Sequence, residues 1–293
     1  MIERLFPGTA AQRRSRIRLL VQIGPGTLWI GMFFFLPLIL ILIYSFYQFT
    51  DGRVLRVLTL ENYARALSQS IYYRVFLKSL WYGIVVTLIT LVIGYPCAHF
   101  LARSRFRRKD ILFAGLIVPF WTTIVVRIYA WKILLGSKGI VNGILLWAGL
   151  VDTPLKLLYT QTAVFFGLIH VFLPFMILPL YASIEKIDRA LEEAAMDLGA
   201  GRLKTFLRVN VPLSLPGINT GCLLVFILTV GSYLTPELLG GPKEIMIANI
   251  IQREYYESFN WPFGFALAVL LLLVVLFLVV VYNRLFRLER IGG

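Results

Sequence analysis

Acidic residues are scarce in this sequence, which carries 15 Asp and Glu against 29 Lys and Arg, with only two histidines and two cysteines. Cys97 and Cys222 both fall inside apolar runs, where they behave as small hydrophobic residues, so no disulfide framework is implied and the redox compartment stays open. His99 and His170 sit in apolar runs with no cysteine or carboxylate cluster at metal-binding spacing, which reads as hydrogen-bonded packing. Paired carboxylates, or a nucleophile with a base at workable spacing, are also missing, which argues against an enzyme. No catalytic, cofactor-binding or metal-binding residue is therefore expected in this chain.

What is abundant is apolar. Hydrophobic residues make up 59% of the 293 and charged residues 15%, and the apolar ones are gathered into long runs, the mark of a membrane protein. Six spans are expected, at Thr27–Phe49, Ser79–Ala102, Ile111–Leu135, Thr162–Ser183, Gly217–Leu239 and Phe263–Phe286. Each reaches the roughly 20 residues that, at about 1.5 Å per residue, cross a hydrocarbon core of about 30 Å. The sixth contains ALAVLLLLVVLFLVVVY, without a charge, whereas the third holds Arg127 and Lys132. The fold class is thus all-α, a polytopic membrane protein with six transmembrane helices.

The net charge of +14 raises the possibility of nucleic acid, so the placement of the basic residues decides. Eighteen of the 29 Lys and Arg fall before span one, between spans two and three, between spans four and five, and at the end of span six. The alternate segments hold nine. By the positive-inside rule both termini are cytoplasmic, and no basic face stands apart from the membrane flanks to serve nucleic acid. Residues 1–26 read as a retained basic cytoplasmic arm, since they lack a short apolar core followed by a small-residue cleavage site. Residues 27–286 form one membrane domain and 287–293 a cytoplasmic tail, because the outer segments are too short for separate domains. In the last of these, Ile247, Ile250, Ile251, Glu254 and Tyr255 have helical spacing, for a helix that either dips into the bundle or caps it from the surface.

The segment LEEAAMDLGAGRLKTFLRVNVPLSLPG, Leu191 to Gly217, departs from this oily background. Leu191, Ala194, Ala195 and Leu198 form one apolar stripe, Asp188 is a suitable N-cap, Glu192 and Glu193 place negative charge near the first turn, and Gly199 suits the stop. A short helix over about 188–199 follows. Its prolines, Pro212 and Pro216, are expected to end any helix before span five. GAGRLKT is not a phosphate loop, because Leu203 stands where glycine must precede Lys204 and a helix rather than a strand lies upstream. A helix lying on lipid would carry Lys and Arg beside its apolar stripe; here the flank is acidic (Asp188, Glu192, Asp197) and the stripe is half alanine, which suits a protein groove.

Glu193-Ala194-Ala195, three residues, Gly199, nine residues, then Val209-Asn210-Val211-Pro212 resembles the cytoplasmic loop motif of permease subunits of bacterial binding-protein-dependent ABC importers. The family pattern is EAA, three residues, Gly, nine residues, Ile-x-Leu-Pro, and this chain places valine at both aliphatic positions. PFWTTIVVRIYAWKILL, KGIVNGILLWAGLVDTPLKLL, LPFMILPLYASIEKID, PELLGGPKEIMI and WPFG are similar to the spermidine/putrescine-type permeases of that family. The resemblance implies the type I ABC importer permease fold and a coupling helix seated in a cleft of a separate ATPase subunit. There Glu193 would make a polar contact, Ala194 and Ala195 would permit close approach, and Gly199 would turn the chain away, with Val209, Val211 and Pro212 completing the motif. The implied partners are a second permease subunit, two copies of the ATPase that binds the ATP, an external substrate-binding protein and the bilayer. The implied cargo is a small solute of polyamine type, and other small organic solutes remain open. An ATPase-independent channel or ion-coupled carrier is the rival reading, disfavoured because few acidic groups lie in the spans.

An arginine at a helix centre costs about 2.5–3.5 kcal/mol on insertion scales, so Arg127 needs a partner or a wet cavity. Either Arg127 pairs with Glu237 as a structural bridge, or Glu237 joins Tyr233, Trp121 or Tyr129 to meet a cationic substrate on the translocation path. Lys132 reads as a snorkeling residue at the interface. Pro174, Pro179, Gly221, Gly231 and Pro236 either expose backbone carbonyls to a cavity or serve packing alone.

Overall fold

The computed structural model describes residues 21–104 and 109–288. The arm before residue 21, the loop residues Arg105, Arg107 and Arg108, and the tail from Glu289 lie outside these, and with them part of the expected charge asymmetry.

Lipid offers the backbone no hydrogen-bond partners, so each crossing segment must pair its own amides and carbonyls, as a helix does. Helix α1 (Val21–Tyr44) contains one wider π turn at Gly31–Phe35. After a hairpin come α2 (Glu61–Ser68) and the long α3 (Ser70–Arg103). Then follow α4 (Lys109–Ile117), α5 (Ile124–Leu134), α6 (Ile140–Trp147) and α7 (Gln161–Glu185). The remaining helices are α8 (Arg189–Asp197), α9 (Arg202–Leu213), α10 (Leu215–Val230), α11 (Leu234–Leu239), α12 (Ile247–Tyr256) and α13 (Trp261–Leu288).

Among the described residues four helices are long and apolar enough to cross a membrane, at Val21–Tyr44, Ser70–Arg103, Gln161–Glu185 and Trp261–Arg284. The bent pair α9 and α10 makes a fifth if taken together. The expected third span is interrupted, with a 3-10 turn at Val118–Trp121 between α4 and α5. Pro119 lies in that turn and has no amide hydrogen to continue the ladder. The expected fifth span is helical only to Val230, and Gly231 to Tyr233 separate it from α11.

Two further expectations change. The first span does not reach Phe49, since the helix ends at Tyr44 and the chain enters a hairpin of β1 (Tyr47–Thr50) and β2 (Arg53–Leu58), so the protein is not purely α. Its antiparallel register pairs Thr50 with Arg53 and Phe49 with Val54. Asp51 and Gly52 take φ of 51° and 73°, the left-handed pair that a two-residue hairpin turn requires. Nor does Pro212 end a helix. α9 passes through a π turn at Phe206–Asn210 and on to Leu213, and Pro212 is tolerated in the first turn that follows the π segment, where its missing donor costs little. The break falls instead at Ser214, where α9 and α10 meet at 68°.

Helices α3, α7 and α10 pack on one another around Tyr82, Val86, Leu168, Met176, Leu180 and Val225. Lipid tails are as apolar as leucine, so close packing rather than the hydrophobic effect holds such helices together, and small residues allow it. A Cβ on Gly217 of α10 would lie 2.7 Å from the Pro179 carbonyl oxygen and 2.5 Å from Ser183 Cβ on α7. A second cluster, Ala66, Tyr72, Ile247, Phe263 and Leu267, joins α2, α3, α12 and α13. α12 thus inserts into the bundle rather than capping its surface, with Ile247 fully buried. The apolar side chains of α1 face outward, Trp29 being 66% exposed, an arrangement suited to hydrocarbon and unfavourable in water.

Candidate coupling surface

Helix α8 forms where its caps dictate. Asp188 is extended (φ −64°, ψ 131°) and accepts a hydrogen bond from the Ala190 amide at 3.0 Å. At the other end Gly199 takes φ 82°, its amide donating to the Met196 carbonyl at 2.9 Å while the Ala200 amide reaches back to Ala195 at 3.0 Å. This paired closure needs a left-handed residue, which glycine supplies without strain. The helix Arg189–Asp197 with its two flanking caps therefore matches the expected stretch.

No residue of α8 is buried. Glu193 and Ala194 are exposed and Ala195 is half-buried. Leu198 is 90% exposed, and Leu191 and Met196 are also open. The motif's second half lies on α9, whose π turn packs against α8. Val209 is half-buried, Val211 packs against the main core, and Pro212 is exposed. Glu193, Ala194, Ala195 and Gly199 thus share one short element, with Val209, Val211 and Pro212 on its neighbour. An open groove of about 670 Å³ runs beside α8, lined by Pro179, Ser183, Asp188, Leu191, Leu213 and Pro216 among others.

The tie between α8 and the membrane helices is polar. Arg103, at the end of α3, brings Nη2 to 2.6 Å from Glu192 Oε1, and its Nη1 donates to the Ile187 carbonyl at 2.9 Å. The Glu192 contact is one of close approach between opposite charges without hydrogen-bond alignment. Arg189 Nη2 in turn donates to the Arg103 carbonyl at 3.2 Å. Higher on α3, His99 Nε2 lies 3.1 Å from Asn210 Nδ2, and the hydroxyls of Tyr95 and Ser214 are 2.7 Å apart.

The residues proposed for the translocation path separate into two groups. Arg127 on α5 and Glu237 on α11 sit on helices that pack together, yet they do not pair. Glu237 accepts from Asn249 Nδ2 at 2.8 Å and is approached by Arg253 Nη2 at 3.3 Å. Arg127 Nε is buried with no hydrogen-bond partner among the described residues, so the bridge to Glu237 is replaced by pairing within α11 and α12. Trp121 is 84% exposed, and Tyr129 and Tyr233 are about half exposed. Lys132 extends over the rings of Tyr129 and Tyr159, with Nζ 5.7 Å and 6.0 Å from the centroids, and the His170 ring packs edge-on to Trp131.

Other contacts were not visible in the sequence. Asn142 is fully buried and pins the loop after α5 by donating to Gly136 and Leu155 and accepting from the Leu155 amide. At the opposite end of α3 from Arg103, Glu244 is held by Lys78 at 2.9 Å and by the Tyr82 hydroxyl. Burial pushes the Glu244 carboxyl up, but the hydrogen bonds from Tyr82 and Lys78 and the charges of Lys78 and Lys243 outweigh it and hold the group below its ordinary value.

Comparison with known proteins agrees with this architecture. Residues 91–289 match the family described as binding-protein-dependent transport system inner membrane component. The chain is 44% identical over 261 residues, 89% of its length and 94% of the relative's, to the spermidine/putrescine transport system permease protein PotB of Escherichia coli K12. It is 41% identical over 258 residues, 87% of its length and 90% of the relative's, to PotB of Haemophilus influenzae. Its fold is similar to a chain of a bacterial ABC transporter involved in the import of the acidic polysaccharide alginate, with TM-score 0.76, 18% identity, and coverage of 97% of this chain and 99% of that one. The family model spans more than half of the chain and includes the segment from Glu193 to Pro212, so this protein belongs to the inner membrane components of binding-protein-dependent transport systems.

Proposed function

We propose that the chain forms one half of the translocation path of an ATP-driven importer for a polyamine of the spermidine/putrescine class. The substrate reading is supported by identity above 40% to permeases named for that cargo, over nearly the full length of both chains. The chain crosses the membrane six times with both termini cytoplasmic, the interrupted segments α4–α5 and α10–α11 each counting as one crossing. It stands beside a second permease subunit, above two ATPase subunits, and receives solute from an external binding protein.

The observation that carries the coupling reading is the uncovered face of α8. Leu198 is 90% exposed on a cytoplasmic helix that buries none of its own residues, and the apolar stripe is narrow and alanine-rich. Such a surface fits a protein cleft, where Ala194 and Ala195 admit close approach and Glu193 supplies a polar contact at the rim. Gly199, in a conformation other residues adopt only with strain, turns the chain back toward the membrane. ATP binding closes the ATPase pair, carries the seated α8 with it and opens the path outward; hydrolysis resets it. The chain performs no bond chemistry and binds no cofactor of its own in this scheme.

Reconstitution of the complete complex in proteoliposomes, with the binding protein outside and ATP within, tests this. Labelled spermidine or putrescine accumulates only with ATP and the ATPase present. Uptake without them contradicts the importer reading, and ATPase stimulation by a different loaded binding protein contradicts the polyamine assignment.

A further inference from the structure

Helix α8 has little hold on the membrane helices through packing. It buries no residue and packs chiefly on α9, and an open groove lies between Leu191 and the residues Ser183 of α7 and Pro216 of α10. α8 itself reaches α3 through the polar contacts of Arg103, and further polar contacts from α9 and Ser214 converge on the same face of that helix. Tyr95, His99 and Arg103 are spaced i, i+4 and i+8 on α3, so they line up along a single stripe. They meet Ser214, Asn210 and Glu192 respectively, which together span the cytoplasmic segment from α8 to the bend before α10. Phe206 packs edge-on against Tyr95 and His99, with ring centroids 5.2 Å and 5.7 Å away, and fills the space between these contacts.

The far end of the same helix is fastened as well. Lys78 and Tyr82 hold Glu244, and Ser79 Oγ accepts a hydrogen bond from the Ile247 amide at 2.8 Å. α3 runs as one continuous helix between these attachments. α3 is thus attached to the cytoplasmic loop at one end and to the segment Gly241–Ile247 at the other, with Pro96 inside the helix between Tyr95 and His99.

We propose that the Tyr95, His99 and Arg103 face of α3 is the strut that receives the displacement of α8, and that Arg103 is a positioning residue whose pairing with Glu192 ties ATP hydrolysis to movement of the path. The side chains of Arg103 and Glu192 are 12% and 19% exposed, so solvent screens the pair weakly and loss of either partner strands a charge. The inference rests on α8 being the segment that meets the ATPase.

The test compares Arg103→Glu, Glu192→Arg and the double exchange in the reconstituted full complex, measuring ATP hydrolysis and solute uptake on the same vesicles. Each single reversal is expected to leave hydrolysis within about twofold of the parent while lowering uptake about tenfold, and the double exchange to restore most of the uptake per ATP. Arg103→Gln and Glu192→Gln, which remove charge without reversing it, show the same uncoupling more mildly. Uptake and hydrolysis falling in parallel, both remaining normal, or a double exchange no better than the singles overturns the proposal. Failure to recover any assembled complex from all five variants also overturns it, since the pair would then serve folding. Glu193→Ala in the same assay separates the two readings. Normal uptake there removes the coupling role of α8 itself, whereas uncoupled Glu193→Ala beside fully coupled Arg103 and Glu192 variants removes only the strut.

Discussion

Asn249 Nδ2 donates to Glu237 Oε2 at 2.8 Å and also to the Tyr233 carbonyl, while its Oδ1 accepts from the Met246 amide at 3.1 Å. One buried amide thus satisfies a carboxylate, a carbonyl at the start of α11 and an amide at the start of α12. Arg253 approaches the same carboxylate, but both side chains of that pair are about 40% exposed. Asn249→Ala therefore costs about 1–3 kcal/mol by leaving buried groups unmet. Arg253→Ala costs at most about 1 kcal/mol, as for a solvent-screened pair. Thermal unfolding of the purified complex ranks the two, and a larger loss from Arg253→Ala contradicts the assignment.

Arg127 has no ion-pair partner among the described residues, its Nε is buried, and in the proposed six-span topology it lies within a membrane segment. Replacing it with methionine removes an insertion cost of about 2.5–3.5 kcal/mol for a charge near a helix centre and forfeits no ion pair with a described residue. Arg127→Met is expected to reach the membrane at parental levels or above. Quantitative blotting of the membrane fraction checks this, and a severalfold drop in abundance would show a structural pairing.

Gly217 is set by the close approach of α10 to α7. A side chain there meets the Pro179 carbonyl oxygen and the Leu180 Cα, both backbone atoms that cannot rotate aside. Gly217→Val is expected to cost about 1–3 kcal/mol or more through overpacking and to lower the melting temperature of the complex. Gly143→Val on α6, where nothing lies within 4 Å of an added Cβ, is the control with little effect.

Glu244 predicts a pH dependence. Its carboxyl is held below the ordinary value of 4.5, so the tether it forms with Lys78 and Tyr82 is fully present above that value and is lost as pH falls through the lower one. Hydrogen exchange of the amides in Gly241–Ile247, corrected for intrinsic rate, is expected to rise in that acid window. Lys78→Met, which removes the cation at 2.9 Å, moves the onset to higher pH. An onset unchanged by that substitution contradicts the tether.

The sequence carried α8 almost whole, because caps, stripe and glycine stop are local features written within a dozen residues. The hairpin was missed, although Asp51-Gly52 is a strong signal for a two-residue turn, because the apolar run through Phe49 obscured it. Broken spans were less visible, as Pro119 and Gly231 interrupt hydrogen-bond ladders without lowering hydropathy. The partners of Glu237, Arg103 and Glu244 were not legible at all. Each lies on another helix, brought close by packing that charge pattern and periodicity do not encode. Charge within apolar runs singled out Arg127 and Glu237, and only tertiary placement could assign the carboxylate to Asn249 and Arg253.

In the proposed importer, ATP energy enters this chain through α8. This coupling is tested most directly by ATP-driven uptake in proteoliposomes containing Glu193→Ala or Gly199→Asp permease, assembled with the second permease, the ATPase and the loaded binding protein. Membrane insertion is expected to be normal and uptake reduced at least about tenfold in both variants. Parental uptake by either variant would contradict the coupling.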